Sequence, residues 1–262
     1  MISISSIYSF PVKSCGALRL KSCEVQPHGL KGDREYMLVD ENGSFLTQRK
    51  FPVLSQITPA IIDGALHLSY NNEHIDLSSA EYVKNIQVKI WRSEMLASVA
   101  SGATNEWFSE IIGEKVRLVK YSRESQRTKR LSEQSRELPL RFSDGYPIHI
   151  MGQSTLEEIE RELKCEITPF RFRPNFILEG IPAFEESRIR RIRGRMVELE
   201  IVKPTTRCTI PNIDPDTGQR DMNILRYLKS RSANSPKAEL GVYAYPENDG
   251  VINIGEEISI DF

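Results

Sequence analysis

Along most of the chain, apolar and polar positions alternate in short runs instead of recurring every three or four residues. "ISISSIYSF", "LRLKSCEVQ", "EYMLVDENGSFLTQ", "IQVKIW" and "KVRLVKY" follow the period of two that sends successive side chains to opposite faces of a strand. Turn chemistry separates the runs. Glu41-Asn42-Gly43, Asp63-Gly64 and Asn71-Asn72 each stand between two of them, and such residues predict hairpins. The first 120 residues therefore predict a meander of antiparallel strands.

Helical spacing is confined to a few stretches. "TNEWFSEIIG" sets Trp107, Phe108, Ile111 and Ile112 on one face, with Thr104 as the expected cap and Gly113 as the stop. "QSTLEEIERELK" opens with Ser154 and Glu157 at capping-box spacing, and "MNILRYLKSR" is a third helical run. Strands resume in "YPIHIMG", "PNFILEG", "RMVELEIVK", "GVYAYPENDGVINIG" and "EEISIDF", the fourth folded at Asn248-Asp249-Gly250. Residues 122–138 are polar and charged with two isolated leucines, which predicts a mobile connection. The expected organisation is an N-terminal β module over residues 1–121, that connection over 122–138, and a second module over 139–262. The fold class is mainly β, or α+β, and barrel-rich.

Charge narrows the function. The 262 residues carry 35 Lys and Arg against 36 Asp and Glu, so no basic surplus exists for a nucleic acid or an anionic membrane. Even "RIRRIRGRM" alternates with isoleucines and reads as a solvated hairpin arm. No apolar run is long enough to cross a bilayer, and the N-terminus lacks the features of a secretory signal. The expectation is a cytoplasmic protein whose partner is a small molecule. Its four cysteines form no CxxC pair and its four histidines have no ligand spacing, so the histidines are expected on the surface or in packing roles.

Within "KPTTRCTIPNIDPDTGQRD", Cys208 follows Arg207, whose charge favours a thiolate; that suits a nucleophile or a soft metal ligand as well as a half-buried thiol without a role. The turn from Asp214 to Gly218 would position its loop. "FRFRPNF" places Arg171 and Arg173 on one side of an extended segment, with Asn175 beyond. Those forked donors suit a phosphate or a polar heterocycle, or plain solvation. Lys13, Ser14 and Arg34 stand at strand ends and are again residue types that hold phosphate.

Taken jointly, "YSFPVKSCGALRL", "GLKGDREYMLVDENGSFLTQRKFPVLSQI", "FSDGYPIHIMGQSTLEEI", "RFRPNFILEG", "VKPTTRCTIPNIDPDTGQRD" and "GVYAYPENDGVINIGEEISI" resemble the MOSC family with its N-terminal β-barrel domain, in particular its amidoxime-reducing branch. The resemblance implies a MOSC β-barrel-like domain, a smaller N-terminal β domain, and a molybdenum cofactor (molybdopterin) between them. By the same resemblance Cys208 is the metal ligand, and Lys13, Ser14, Arg34, Arg173, Asn175, Thr206, Arg207 and Tyr243 hold the cofactor. Gly145 and Tyr146 replace a small or hydroxylated pair, so backbone donors are expected there.

The implied reaction reduces a small N-hydroxylated substrate from N–OH to N–H. Its two electrons come from a separate flavin or iron–sulfur reductase, and Asp214, or a water it orients, helps with protons. The alternative is a sulfur-carrying or molybdopterin-carrier protein in cofactor handling.

Overall fold

The computed structural model describes all residues except 123, 132–135 and 232–236. Strands Ile2–Ser9, Phe176–Glu179, Ile148–Gly152, Glu239–Pro246, Glu198–Thr206, Arg191–Arg193 and Glu257–Asp261 pair in that order. The last returns to the first and closes a seven-strand barrel. Closure removes the free edges that an open sheet would leave. One pair, Ile148–Gly152 with Phe176–Glu179, is parallel, and helix Gln153–Leu163 lies in the crossover that a parallel pair requires. Ile4, Ile150, Leu178, Ile192, Leu199, Val242 and Ile258 belong to the buried cluster of the barrel.

The first strand of the chain is thus built into a barrel supplied mostly by the second half. Strand Ser22–Gln26 pairs with Gly250–Asn253, which ties the halves together again. That pairing corrects the expected fold at Asn248-Asp249-Gly250: Gly250–Asn253 leaves its sequence neighbour Glu239–Pro246 and takes a partner from the N-terminal half.

The N-terminal half adds a sheet ordered Tyr36–Val39, Arg117–Lys120, Ser93–Ala100, Tyr82–Ile90, and a meander of Thr58–Ile62, Ala65–Tyr70 and Glu73–Asp76. Its turns at Asp63-Gly64 and Asn71-Asn72 all have φ between 46° and 81°, the left-handed geometry of tight hairpins.

Helix caps differ from expectation. Helix Gly102–Ile112 begins after Ser101, so Thr104 lies inside it, while Gly113 ends it at φ 76°. Helix Gln153–Leu163 follows Gly152 directly, because a barrel strand runs straight into it. Ser154 falls in the first turn instead of capping it, and Gln153 donates to Glu157 at 3.0 Å.

Within the polar stretch 122–138, of which 123 and 132–135 lie outside the described residues, the rest is more than a loop. Thr128–Arg130 pairs with Glu137–Pro139, and its two leucines, Leu131 and Leu138, are buried with Tyr146 and Tyr245. Two apolar contacts on a paired backbone suffice to dock a segment whose composition reads as solvated.

Behind the barrel, Glu186 is 1 % exposed, and one of its oxygens, Oε1, has no partner. Burial pushes its pKa up, opposed by the Thr155 hydroxyl, which donates to Oε2 at 2.8 Å, and by backbone N–H groups. A folded-state pKa above the unfolded value favours the protonated folded form. Stability is then fully present below the unfolded value of about 4.3 and is lost as pH rises through the raised folded pKa. Urea denaturation as a function of pH should therefore show Glu186→Gln flattening that loss. A variant that loses stability with pH as steeply as the wild type would contradict the assignment.

Candidate functional site

Between the barrel and the N-terminal sheets lies a cavity of about 210 Å³. Four non-glycine residues on its wall have a left-handed backbone: Ser14 (φ 72°), Arg34 (φ 46°), Trp91 (φ 55°) and Arg173 (φ 58°). Such conformations cost free energy and persist where surrounding contacts over-determine them, commonly at functional sites. Here those contacts are visible. Arg34 pairs through Nη1 with both oxygens of buried Asp33 (2.8 and 2.6 Å), and the Asp33 carboxylate also accepts the Phe10 N–H at 2.7 Å.

Arg34 Nη2 donates to the Arg173 carbonyl at 3.2 Å, and Arg173 Nη1 donates to the Cys15 carbonyl at 2.6 Å. Both guanidinium groups lie over the Phe10 ring, 4.4 and 4.2 Å from its centroid. Burial, then the neighbouring Arg34 charge, pull the Arg173 pKa down. No carboxylate pairs with Arg173 among the described residues, so an anion in the cavity would relieve it.

Strand Glu198–Thr206 delivers Arg207 and Cys208. Arg207 Nη2 donates to the Phe172 carbonyl at 2.7 Å, Nη1 lies 3.5 Å from His149 Nε2, and its buried Nε has no partner. Burial lowers the Arg207 pKa. It also pulls His149 well below the usual range, with the Arg207 charge adding to the effect, so the imidazole is neutral at pH 7. Burial likewise lowers the pKa of Lys13, whose Nζ donates to the Phe142 carbonyl at 2.9 Å and pairs with Asp144.

Asp144 also accepts the Trp91 Nε1–H at 2.9 Å, and its side chain is 53 % exposed. Its surroundings push the carboxyl up, but Lys13, the Trp91 hydrogen bond and Arg34 together hold it well below the usual carboxylate range. Lys13, Arg34, Arg49, Arg173 and Arg207 thus line the cavity with Asp144 as its single acid among the described residues.

Of the residues expected at a site, Lys13, Ser14, Arg34, Tyr146, Arg173, Asn175, Thr206, Arg207, Cys208 and Tyr243 line this cavity together. Asn175 is held by barrel backbone at both ends of its amide: Oδ1 accepts the His149 N–H at 3.1 Å and Nδ2 donates to the Tyr8 carbonyl at 3.1 Å. Gly145 lies behind the Tyr243 ring instead. A Cβ there would sit 3.2 Å from two ring carbons, so its smallness sets the position of that ring.

Asp214 lies outside. Its Oδ1 accepts the N–H groups of Asp216 and Thr217 (2.8 and 2.9 Å), and Oδ2 takes Arg171 at 3.0 Å. Both oxygens are committed to building the turn after Cys208, which leaves no lone acid there for proton transfer. Arg171 also departs from expectation: Pro169–Arg171 forms a 3-10 turn that sends it to Asp214 and Asp221, away from Arg173.

Thr47, Arg49, Trp91, Ser143, Asp144, His149 and Phe172 also line the cavity, and sequence reasoning missed their role. Only Trp91 carried a local signal, an aromatic at the tip of the hairpin between Tyr82–Ile90 and Ser93–Ala100. His149, expected on the surface or in packing, is buried and also touches the cavity through its contact with Arg207.

A closed barrel meeting a second β unit across a cation-lined cleft, with one thiol on its wall among the described residues, defines a β-barrel protein with a cation-rich cavity. Residues 1–115 match the MOSC N-terminal beta barrel domain and residues 137–259 match the MOSC domain; the chain belongs to the MOSC-domain family. It is 25 % identical over 252 residues to the molybdenum cofactor sulfurase of Caenorhabditis elegans, covering 94 % of this chain and 34 % of that protein. The chain therefore spans about a third of the length of that sulfurase.

It is also 25 % identical over 278 residues to the mitochondrial amidoxime-reducing component 1 of Mus musculus, covering 98 % of this chain and 81 % of the mouse protein. Among solved structures, the YUAD protein from Bacillus subtilis aligns with a TM-score of 0.43 and 13 % identity over 98 % of this chain and 94 % of that one. No helix among the described residues is long and apolar enough to cross a membrane.

Proposed function

We propose that this cleft holds a molybdenum cofactor and that the chain reduces small N-hydroxylated compounds to their N–H counterparts, with electrons from a separate redox protein. The observation that carries the reading is the convergence of five cations from both halves, and of Cys208, on one cavity with a single lining acid. The similarity to an amidoxime-reducing component supports the type of reaction.

The donor set fits such a group. Arg207 Nε and Ser143 Oγ are buried without partners, and Arg173 forms no ion pair among the described residues, so an anionic pterin would offset charge and polar groups that are otherwise costly to bury. Among the described residues no three His, Cys, Asp or Glu side chains come together, so a metal beside Cys208 would draw its other donors from the cofactor.

When bound, the molybdenum supplies the two-electron redox chemistry that no side chain provides. Cys208 would ligate it through Sγ. Lys13, Arg34 and Arg173 would hold the pterin and its phosphate by charge-assisted hydrogen bonds. Tyr146 and Tyr243, with ring centroids 5.4 Å apart, would wall the site against water. The overall change takes two electrons and two protons, breaks the N–O bond and releases water. Asp144, ionised and paired with Lys13, orients rather than donates, so the protons would come from solvent.

A second reading, sulfur or cofactor handling, draws on the match of 94 % of this chain to the sulfurase. Benzamidoxime and reduced methyl viologen separate the two. The reductase reading expects benzamidine from protein made in a host able to synthesise the cofactor, with turnover reduced at least about a hundredfold in Cys208→Ala. Bound molybdenum without turnover would favour handling.

A further inference from the structure

We propose a second anion site, continuous with the cavity, that selects substrates carrying a phosphate or carboxylate group; the proposal rests on the reductase reading above. Past Trp91 and Tyr243 the cavity opens into a groove lined by Arg92, Arg127, Lys129 and Lys203. The two spaces share Trp91, Asp144, Thr206 and Tyr243 as walls.

Three separate elements supply the exposed cations of the groove: the hairpin tip (Arg92), strand Thr128–Arg130 (Lys129) and barrel strand Glu198–Thr206 (Lys203). None of the three has a carboxylate partner among the described residues, whereas Lys31, Arg188 and Arg231 on other surfaces are matched with Glu24, Glu185 and Glu162.

Arg127 is buried and spends its guanidinium on the carbonyls of Arg141 (2.7 Å), Ser143 (2.6 Å) and Asp144 (3.3 Å), so it adds charge while holding the wall. The only acid lining the groove among the described residues, Asp144, is already paired with Lys13. What remains is an excess of positive charge in a concave space, which concentrates small anions.

Position argues for a substrate. Lys203 and Cys208 lie on one strand and its continuation, five residues apart in sequence, so at most about 17 Å of chain separates them. One mid-sized molecule could present an N–OH end near the thiol and a charged end to the groove. Between the two, the Trp91 ring is 44 % exposed and is fixed by its indole hydrogen bond to Asp144 and by contacts with Phe45 and Arg49, forming a rigid shelf. An acidic protein surface could reach the groove but not the cavity behind it.

The test compares benzamidoxime with 4-carboxybenzamidoxime on the purified holoprotein with a chemical reductant, for wild type and for an Arg92→Glu, Lys203→Glu double variant. The expected result is a lower KM for the carboxylated compound in wild type. That preference should fade as salt rises, and the double variant should raise KM by about tenfold for the carboxylated compound while leaving benzamidoxime unchanged.

Calorimetric binding of the carboxylated compound, which needs no turnover, should weaken in the same proportion. Variant-sensitive binding without reduction of either compound would count against the reductase reading and support the groove. Equal binding of charged and neutral compounds to wild type would overturn the groove. So would a variant that slows turnover only when a protein supplies the electrons, which would make the groove an acidic partner's docking face.

Discussion

Arg173→Ala is expected to lower retention of the cofactor by about thirtyfold or more while leaving the barrel folded. Truncating one partner of a desolvated charge pair costs about 2 to 5 kcal/mol, and Arg173 is a desolvated cation that forms no ion pair with a carboxylate among the described residues, Asp33 and Asp144 acting on it only at a distance. Its loss removes one hydrogen bond, to the Cys15 carbonyl, and relieves the repulsion from Arg34. Alanine carries the same backbone cost at φ 58° that arginine does. Released pterin can be quantified by fluorescence beside a urea midpoint. Full cofactor content in a folded variant would remove Arg173 from the binding set.

Gly241→Ala should be strongly destabilising. Its φ is 70°, and a Cβ there would lie 2.5 Å from His149 Nε2, 2.6 Å from the Ile150 carbonyl oxygen and 2.7 Å from Met151 Cγ. The left-handed backbone costs about 1 to 2 kcal/mol and overpacking about 1 to 3 more, so a loss of about 2 to 5 kcal/mol is expected in urea denaturation. Gly113→Ala separates the two contributions, since φ is 76° there but nothing lies within 4 Å. It should lose only the backbone share, and equal midpoints for the two variants would contradict the close strand approach at Gly241. The clash at Gly241 also falls on His149, which packs against Arg207, so the damage should extend to the site.

What the sequence revealed was mostly local. Asp63-Gly64 and Gly113 announce their structures because the conformation is set by the residues themselves. Gly250–Asn253 was misread because its partner, Ser22–Gln26, is more than two hundred positions away, and no turn chemistry encodes that pairing. Leu131 and Leu138 looked isolated because their contacts, Tyr146 and Tyr245, come from outside the segment.

The same holds for the site. Cys208, Arg173 and Lys13 stood out by residue type and by a family resemblance, whereas Asp144, Arg49 and His149 acquire their roles only when distant segments meet at the cavity. Left-handed Ser14, Arg34 and Arg173 could not be foreseen, since nothing in a serine or an arginine announces positive φ. Asp214 shows the converse: a turn-forming acid looks free in the sequence, whereas in the fold its two oxygens hold the Asp216 and Thr217 N–H groups and Arg171.

The central claim is that the cations and Cys208 act on one molybdenum-containing ligand. Elemental analysis of protein purified from a host that makes the cofactor, wild type beside Cys208→Ala, tests it most directly. Molybdenum should approach one atom per wild-type chain and be at least about tenfold lower in the variant, the change expected from about 1.4 kcal/mol or more of lost ligation. Wild-type protein without molybdenum, or equal molybdenum in the two samples, would contradict it.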